Sequence, residues 1–210
     1  MSEFQTEEEQ VERLKQWWKE NGRSIIAGVV IGLGIFGSWQ GWRTYETRQA
    51  EEGSVAFDTF QQQARSGDLE TALRAESSLR EGFDGSAYAD LAALEVAREL
   101  TNQGRLDEAA ARLRTVQESG ANTAIRELAR LHLGRVLMAK GAYDEAGAVL
   151  QADPPAAFAA EMAALRGDLA RLQNDDAAAR AAYEQALALG SADREWLELM
   201  LQNLAGDRAG

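Results

Sequence analysis

The chain has 210 residues, of which 45% are hydrophobic and 27% charged, a composition typical of globular proteins with one or two domains. Its formal net charge is −12 at pH 7, and so acidic a surface repels the phosphate backbone of nucleic acids. The sequence has no cysteine, which excludes disulfides and cysteine-based zinc sites and is compatible with an oxidising compartment such as a bacterial periplasm.

Residues 1–23 form a short charged head before an apolar segment. From Glu7 onward the apolar residues of this head recur at helical spacing, and Asn21 and Gly22 are residue types that commonly end helices. The pattern predicts a short helix that lies at a membrane surface and ends at Asn21-Gly22.

Residues 24–42 contain no charged residue and read SIIAGVVIGLGIFGSWQGW. As a helix this segment spans about 28 Å, close to the hydrocarbon thickness of a bilayer. It predicts a single transmembrane helix rather than the core helix of a soluble domain. A cleaved signal peptide is a further alternative, but the apolar run is long and no small-x-small cleavage pattern follows it. Tryptophans, which favour the headgroup layers, stand near both ends: Trp17, Trp18, Trp39 and Trp42.

The basic residues around this helix predict its direction in the membrane. Four Lys or Arg residues lie shortly before it, whereas only Arg43 and Arg48 follow closely. Because cytoplasmic flanks carry the excess of basic residues, we expect the N-terminus in the cytoplasm and the C-terminal domain in the periplasm.

Two pairs of glycines, Gly28 with Gly32 and Gly37 with Gly41, each lie four residues apart on one face of the predicted helix. Small residues at this spacing let two helices approach closely in lipid, so this face is a candidate contact with a membrane partner or with a second copy of the chain. Glycine is also common in membrane helices without such a role, and the sequence is compatible with both interpretations.

After residue 43 the helix-forming residues Ala, Leu, Glu, Arg and Gln dominate, which predicts a helical repeat domain over 43–210. A turn motif recurs there, beginning at Gly67, Gly104, Gly141 and Asn174, with an alanine five residues further on each time. The spacings of 37, 37 and 33 residues are typical of stacked helix pairs. The glycine or asparagine should end one helix in the left-handed conformation, and the alanine should let the next helix pack closely.

The third and fourth of these repeats resemble the tetratricopeptide repeat. The resemblance implies an α-solenoid, in which residues 191–204 form a C-terminal capping helix. The predicted architecture is therefore all-α, with one N-terminal transmembrane helix followed by a tetratricopeptide-like α-solenoid. The residues that carry the resemblance are Leu133, Gly134, Gly141, Tyr143, Ala146 and Leu150 in the third repeat, and Gly167, Asn174, Ala179, Tyr183 and Ala186 in the fourth.

The sequence carries no recognisable catalytic or cofactor-binding motif. His132 is the only histidine, and one histidine without cysteine cannot build a usual zinc site. Neither a G-x-S-x-G elbow nor a phosphate-binding P-loop occurs. We expect a protein that is not an enzyme and that uses no cofactor or metal.

Repeat scaffolds of this kind bind partners on the surface lined by the first helix of each pair. The predicted partner groove, suited to an extended or helical peptide, consists of five residues on that surface. The alternative is that its arginines are ordinary surface residues paired with the many carboxylates. The five residues are Arg98 and Arg135 at equivalent repeat positions, Arg171 one turn further along in the last repeat, and Leu131 and Met138 nearby.

The whole chain resembles the YfgM family, most closely over residues 7–45, where QVE precedes WWKENGR and the glycine-rich anchor ends on GW. Members of this family are ancillary subunits of the SecYEG translocon in Gram-negative bacteria. The resemblance implies an inner-membrane protein that contacts SecYEG and a PpiD-type periplasmic chaperone. It would help to pass client secretory proteins to periplasmic chaperones.

Two other functions are compatible with the sequence. The repeats would serve equally as a scaffold for another envelope assembly machine, such as cytochrome maturation or outer-membrane assembly. A regulator whose repeats bind a cytoplasmic signalling protein is the second. Topology distinguishes this regulator from the other two functions, and the identity of the partners distinguishes those two from each other.

Overall fold

The computed structural model describes residues 7–66 and 68–206, and every regular element in these two ranges is helical, which confirms the all-α class. The chain divides into two compact units, Met1–Glu52 and Gly53–Gly210. A 3-10 turn lies at Ala156–Phe158. The α-helices are α1 Glu7–Ser66, α2 Leu69–Phe83, α3 Ala87–Asn102, α4 Leu106–Ser119, α5 Thr123–Ala139, α6 Tyr143–Leu150, α7 Ala159–Leu172, α8 Asp176–Ala188 and α9 Arg194–Gly206.

Helix α1 passes through Asn21 and Gly22 without a break, so the prediction that a surface helix ends there is wrong. The side-chain amide of Asn21 donates a hydrogen bond to the carbonyl oxygen of Trp17 at 3.0 Å. Gly22 is buried beneath the ring of Trp18, and a Cβ at position 22 would lie 3.2 Å from that ring. Asn-Gly often ends a helix, but here contacts one turn back keep both residues helical.

Helix α1 contains a segment that is long and apolar enough to cross a membrane. Its 18-residue apolar window has a mean hydropathy of 1.5, and none of that window is buried within the protein. A helix in the core of a soluble domain would bury these side chains, so the segment is a candidate transmembrane helix. The side chains that are more than half exposed include Ile26, Val29, Val30, Ile31, Leu33, Ile35 and Phe36.

The unit that begins at Gly53 is a stack of helix pairs. The last residues of α1 supply the first helix of the first pair, since Phe60 is 2% exposed and belongs to the main hydrophobic core. The pairs α3/α4, α5/α6 and α7/α8 follow, and α9 packs on α8. Helix α9 confirms the C-terminal helix that the sequence predicts at 191–204.

The residues predicted to end helices adopt the left-handed backbone conformation. The φ angle is +76° at Gly104, +79° at Gly141 and +60° at Asn174. Glycine and asparagine tolerate this conformation better than other residues, which explains their recurrence at the repeat spacing. The turn predicted at Gly67 lies outside the described residues.

Small residues allow the two helices of a pair to pack closely. Ala109, Ala146 and Ala179 are each 0% exposed. A Cβ on Gly134 would lie 2.8 Å from Cδ2 of Leu150 on α6. A Cβ on Gly167 would overlap the ring of Tyr183, which is itself fully buried. These contacts account for the tetratricopeptide-like spacing of glycine and alanine in the sequence.

Buried charge also joins successive repeats. Glu76 on α2 is 4% exposed. Its carboxylate forms ion pairs with Arg80 at 3.3 Å and with Arg112 on α4 at 3.1 Å. Because a buried carboxylate is costly unless it is paired, the ion pair with Arg112 holds α2 against α4, while Arg80 pairs with Glu76 within α2.

Candidate partner-binding surface

The first helices of successive pairs bring two of the predicted groove residues together. Helix α5 contacts both α3 and α7. Arg98 on α3 and Arg135 on α5 line one cavity of about 130 Å³, together with His132. Their side chains are 69% and 45% exposed, so both guanidinium groups reach solvent at the rim.

Both arginines have carboxylate partners within the chain. Nη2 of Arg135 donates to Oε1 of Glu161 on α7 at 2.6 Å, and Arg98 lies 3.9 Å from Glu95. Ion pairs as exposed as these contribute little to stability and exchange readily with a competing anion. The pairing expected from the alternative interpretation is therefore present, and the arginines are still accessible.

His132 is half-buried in the same cavity. Burial lowers the pKa of His132, and the positive charges of Arg135 and Arg98 lower it further, while Glu161 opposes them. The imidazole is therefore neutral at neutral pH and adds no third charge to the cavity.

The two apolar members of the predicted groove lie in the core. Leu131 is 0% exposed and Met138 is 8% exposed. Helix α5 packs on several sides, so these shorter side chains are covered, while the longer Arg135 extends past the rim. Leu131 and Met138 are therefore corrected from groove residues to core residues.

Arg171 does not line the cavity of Arg98 and Arg135. It is exposed on α7, where its positive charge acts on Asp168 and on Tyr183. The predicted set of three arginines thus divides into a pair on α3 and α5 and a single residue near the end of α7.

A larger groove lies between α7 and α9, with a volume of about 720 Å³. We call it the α7–α9 groove. Arg135 contributes from one side, so the groove adjoins the cavity described above. The residues that define it are Ala160, Ala164, Glu161, Asp168, Asp193 and Trp196.

The sequence prediction did not identify this groove as a site. Its members are far apart in sequence, and the segment 191–204, which contains Trp196, is predicted only as a capping helix. One signal was present: Asp168 is a carboxylate directly after Gly167, which carries the tetratricopeptide-like packing pattern of a predicted first helix. A charged residue in such a position has to be paired or exposed in a cavity.

The four glycines proposed as a membrane contact have free space around them. A Cβ on Gly28, Gly32, Gly37 or Gly41 would meet no atom of the described residues within 4 Å. Among residues 7–66 and 68–206, no group of three His, Asp or Glu side chains is placed to hold a metal ion.

Comparison with known proteins agrees with this architecture. The profile of the tetratricopeptide repeat-like domain family matches residues 15–206, and the chain belongs to that family. The match covers the end of the charged head, the anchor and all the described repeats.

Two curated relatives define the group more narrowly. An ancillary SecYEG translocon subunit of Haemophilus influenzae is 29% identical over 205 residues, covering 94% of this chain and 97% of the relative. An ancillary SecYEG translocon subunit of Escherichia coli K12 is 27% identical over 103 residues, 49% of each chain. These relatives confirm the resemblance to the YfgM family. Together with the candidate transmembrane helix, they indicate an inner-membrane protein.

Proposed function

We propose that this chain is an ancillary subunit of the SecYEG translocon whose repeats link protein export to periplasmic chaperones. The observation that supports this best is the combination of an exposed, membrane-length helix with a repeat domain, in a chain that covers 97% of a translocon subunit. The repeats act as a protein-interaction module and perform no catalysis. Their partners are SecYEG, a PpiD-type chaperone and client secretory proteins.

The proposed topology has the N-terminus in the cytoplasm and the repeats in the periplasm. Alkaline phosphatase folds only outside the cytoplasm, so a fusion after residue 210 should be active. An inactive phosphatase, with the fusion protein intact in the membrane fraction, would overturn the topology and favour a regulator that acts in the cytoplasm.

Crosslinking in intact cells tests the proposed partners. We expect SecY and a PpiD-type chaperone among the proteins recovered with the full chain. An unrelated single-pass protein with a similar anchor is the control for proximity in the membrane. Recovery of a different envelope machine, with no SecY above that control, would replace the translocon assignment.

We propose that Arg98 on α3 and Arg135 on α5, whose guanidinium groups reach solvent, contribute to partner binding. Because Arg98 and Arg135 line one cavity, replacing both with glutamate should lower recovery of the chaperone or client. The matched control is Arg194→Glu, which reverses an exposed arginine on α9 that pairs with Glu198. If the native chain, the double variant and the Arg194→Glu control recover the partner equally, Arg98 and Arg135 do not take part in binding.

The open glycine face of the anchor is proposed as a second contact, with a translocon helix or another copy of the chain. Gly28→Leu combined with Gly32→Leu should reduce recovery of the membrane partner without changing membrane insertion. Unchanged recovery would show that these glycines have no contact role.

A further inference from the structure

The α7–α9 groove combines small residues with an exposed aromatic ring. Ala160 and Ala164 lie one helical turn apart on α7 and leave space for a chain to lie against them. Trp196 on α9 is 40% exposed and lines the same groove. Such a surface suits an extended polypeptide with small or apolar side chains.

The charge of this groove is negative. Among the described residues that line it, Arg135 is the one basic residue, and it is already paired with Glu161 at 2.6 Å. Asp168 and Asp193 lie within 4.0 Å of no Lys or Arg nitrogen among the residues described. The positive charges of Arg171 and Arg135 act on Asp168 without forming a direct ion pair. Since the described lining carries three acidic side chains and one basic side chain, its excess of negative charge favours a positively charged ligand group.

The hydrogen bonding around Asp168 fixes its carboxylate at the groove. The hydroxyl of Tyr183 donates to Oδ1 of Asp168 at 2.8 Å. Tyr183 cannot move, because it is fully buried and its ring fills the space beside Gly167. Burial raises the pKa of Asp168, and the hydrogen bond from Tyr183 and the positive charges of Arg171 and Arg135 offset this only in part. The chain thus holds a partly desolvated carboxylate that a cation would stabilise.

Tyr183 also positions the aromatic ring of the groove. Its ring meets Trp196 edge to face, with centroids 5.9 Å apart and an angle of 83° between the planes. The same buried tyrosine therefore orients both the carboxylate and the indole. An anion beside an aromatic ring is the combination that binds Lys or Arg side chains, through an ion pair and a cation–π contact.

We propose that the α7–α9 groove binds an extended segment of a partner polypeptide through one Lys or Arg side chain, which pairs with Asp168 and packs against Trp196. Neighbouring small or apolar residues of the segment lie on Ala160 and Ala164. A second copy of this chain is a poor occupant, since its net charge is −12, and an anionic membrane surface is repelled for the same reason. This proposal rests on the proposed function in that the repeats bind polypeptides, and it specifies the chemistry of the segment.

Binding of a labelled peptide to the full-length protein in neutral detergent tests the proposal. The probe is a heptapeptide of alanine and leucine with one central arginine, and the matched control has citrulline, which keeps the shape and removes the charge. We expect the citrulline peptide to bind about ten-fold more weakly, as for the loss of one charge-assisted contact. Equal binding of the two peptides would overturn the proposal.

Variants of the protein test the assignment to this groove. Asp168→Asn retains an acceptor for the Tyr183 hydroxyl but removes the charge, and it should lower affinity for the arginine peptide about ten-fold. Glu198→Gln removes a carboxylate of α9 that does not line the groove and should leave affinity unchanged. An equal loss in both variants would indicate general attraction to an acidic protein and would overturn the proposal.

Further variants and the recovery of SecY distinguish three cases: a variant that does not fold, a proposed function that is wrong, and a groove that does not bind the segment. If Asp168→Asn unfolds, Asp193→Asn and Trp196→Ala take its place, and full peptide affinity in both would contradict the groove. SecY recovery should be normal in Asp168→Asn cells. If SecY is recovered normally but peptide binding does not depend on the arginine, only the proposed binding in the α7–α9 groove is wrong. If SecY is not recovered with the native chain, the proposed function is wrong.

Discussion

The anchor and the repeats use glycine in different surroundings. In the anchor, a Cβ on Gly28 or Gly32 would meet no atom of residues 7–66 and 68–206 within 4 Å. In the repeats, a Cβ on Gly134 would lie 2.8 Å from Leu150, and one on Gly167 would overlap Tyr183. Gly134 and Gly167 are explained by packing within the chain, whereas the described residues give no such reason for Gly28 and Gly32. The difference directs the search for a partner of the anchor to lipid or another protein.

The strongest test of this comparison is Gly167→Ala. Since Tyr183 is fully buried and cannot turn away, overpacking should lower the free energy of unfolding by about 3 kcal/mol. Gly147→Ala is the matched control, because its Cβ would make an ordinary contact at 3.7 Å with Leu169 and alanine favours the helix. Urea unfolding of the full-length protein in detergent, followed by circular dichroism, measures both. Gly32→Ala should leave the same transition unchanged, and equal destabilisation at positions 32 and 167 would refute the comparison.

A second contrast concerns buried and exposed ion pairs of the repeats. Glu76→Ala leaves Arg80 and Arg112 without their buried partner and should destabilise the domain by about 2 kcal/mol. Glu198→Ala breaks an ion pair whose side chains are both more than half exposed, and the cost should be below about 0.5 kcal/mol. The same unfolding experiment compares them. Similar losses in the two variants would mean that burial does not govern these pairs.

Substitutions in the left-handed turns should change the free energy of unfolding by a smaller amount. Gly141→Ala places a Cβ on a residue with a φ of +79° and should cost about 1 kcal/mol. Asn174→Gly, at a φ of +60°, relieves the same strain and should change stability by only a few tenths of a kcal/mol. A neutral Gly141→Ala variant would contradict the left-handed turn in the third repeat.

The smallest expected effect is a dependence on pH through His132. Burial lowers the pKa of His132 in the folded state, with Arg135 and Arg98 acting in the same direction and Glu161 against them. As pH falls below about 6.5, the unfolded chain binds the proton first, so stability should decrease until the folded pKa is reached. His132→Gln should remove this component of the slope between pH 7 and 5. If stability depends on pH in the same way in the native chain and in His132→Gln, other titratable groups cause the dependence.

The parts of the fold that the sequence predicts correctly depend on local physics. Left-handed caps at Gly104 and Gly141 and the close approach at Ala146 follow from single residues and short spacings. The continuity of α1 was missed because the conformation of Asn21 and Gly22 depends on contacts with Trp17 and Trp18 that the dipeptide itself does not reveal.

The candidate sites were harder to predict, because they depend on which faces other helices cover. Arg98 and Arg135 share a cavity, as the repeat spacing of 37 residues suggests. Leu131 lies one turn from Arg135, yet packing against neighbouring helices covers it. The α7–α9 groove joins residues on three helices, from Arg135 to Trp196, and no local pattern indicates such a distant encounter.

The sharing of α1 between the anchor and the first repeat determines how the chain responds to proteolysis. A cut at residues 43–52 would release the repeats with every helix that builds their core. A cut after Ser66 would instead remove Phe60, which belongs to the same hydrophobic core as Leu69 and Leu79. Cleavage at residues 43–52 would therefore leave a stably folded fragment, whereas cleavage after Ser66 would leave a fragment that is degraded rapidly.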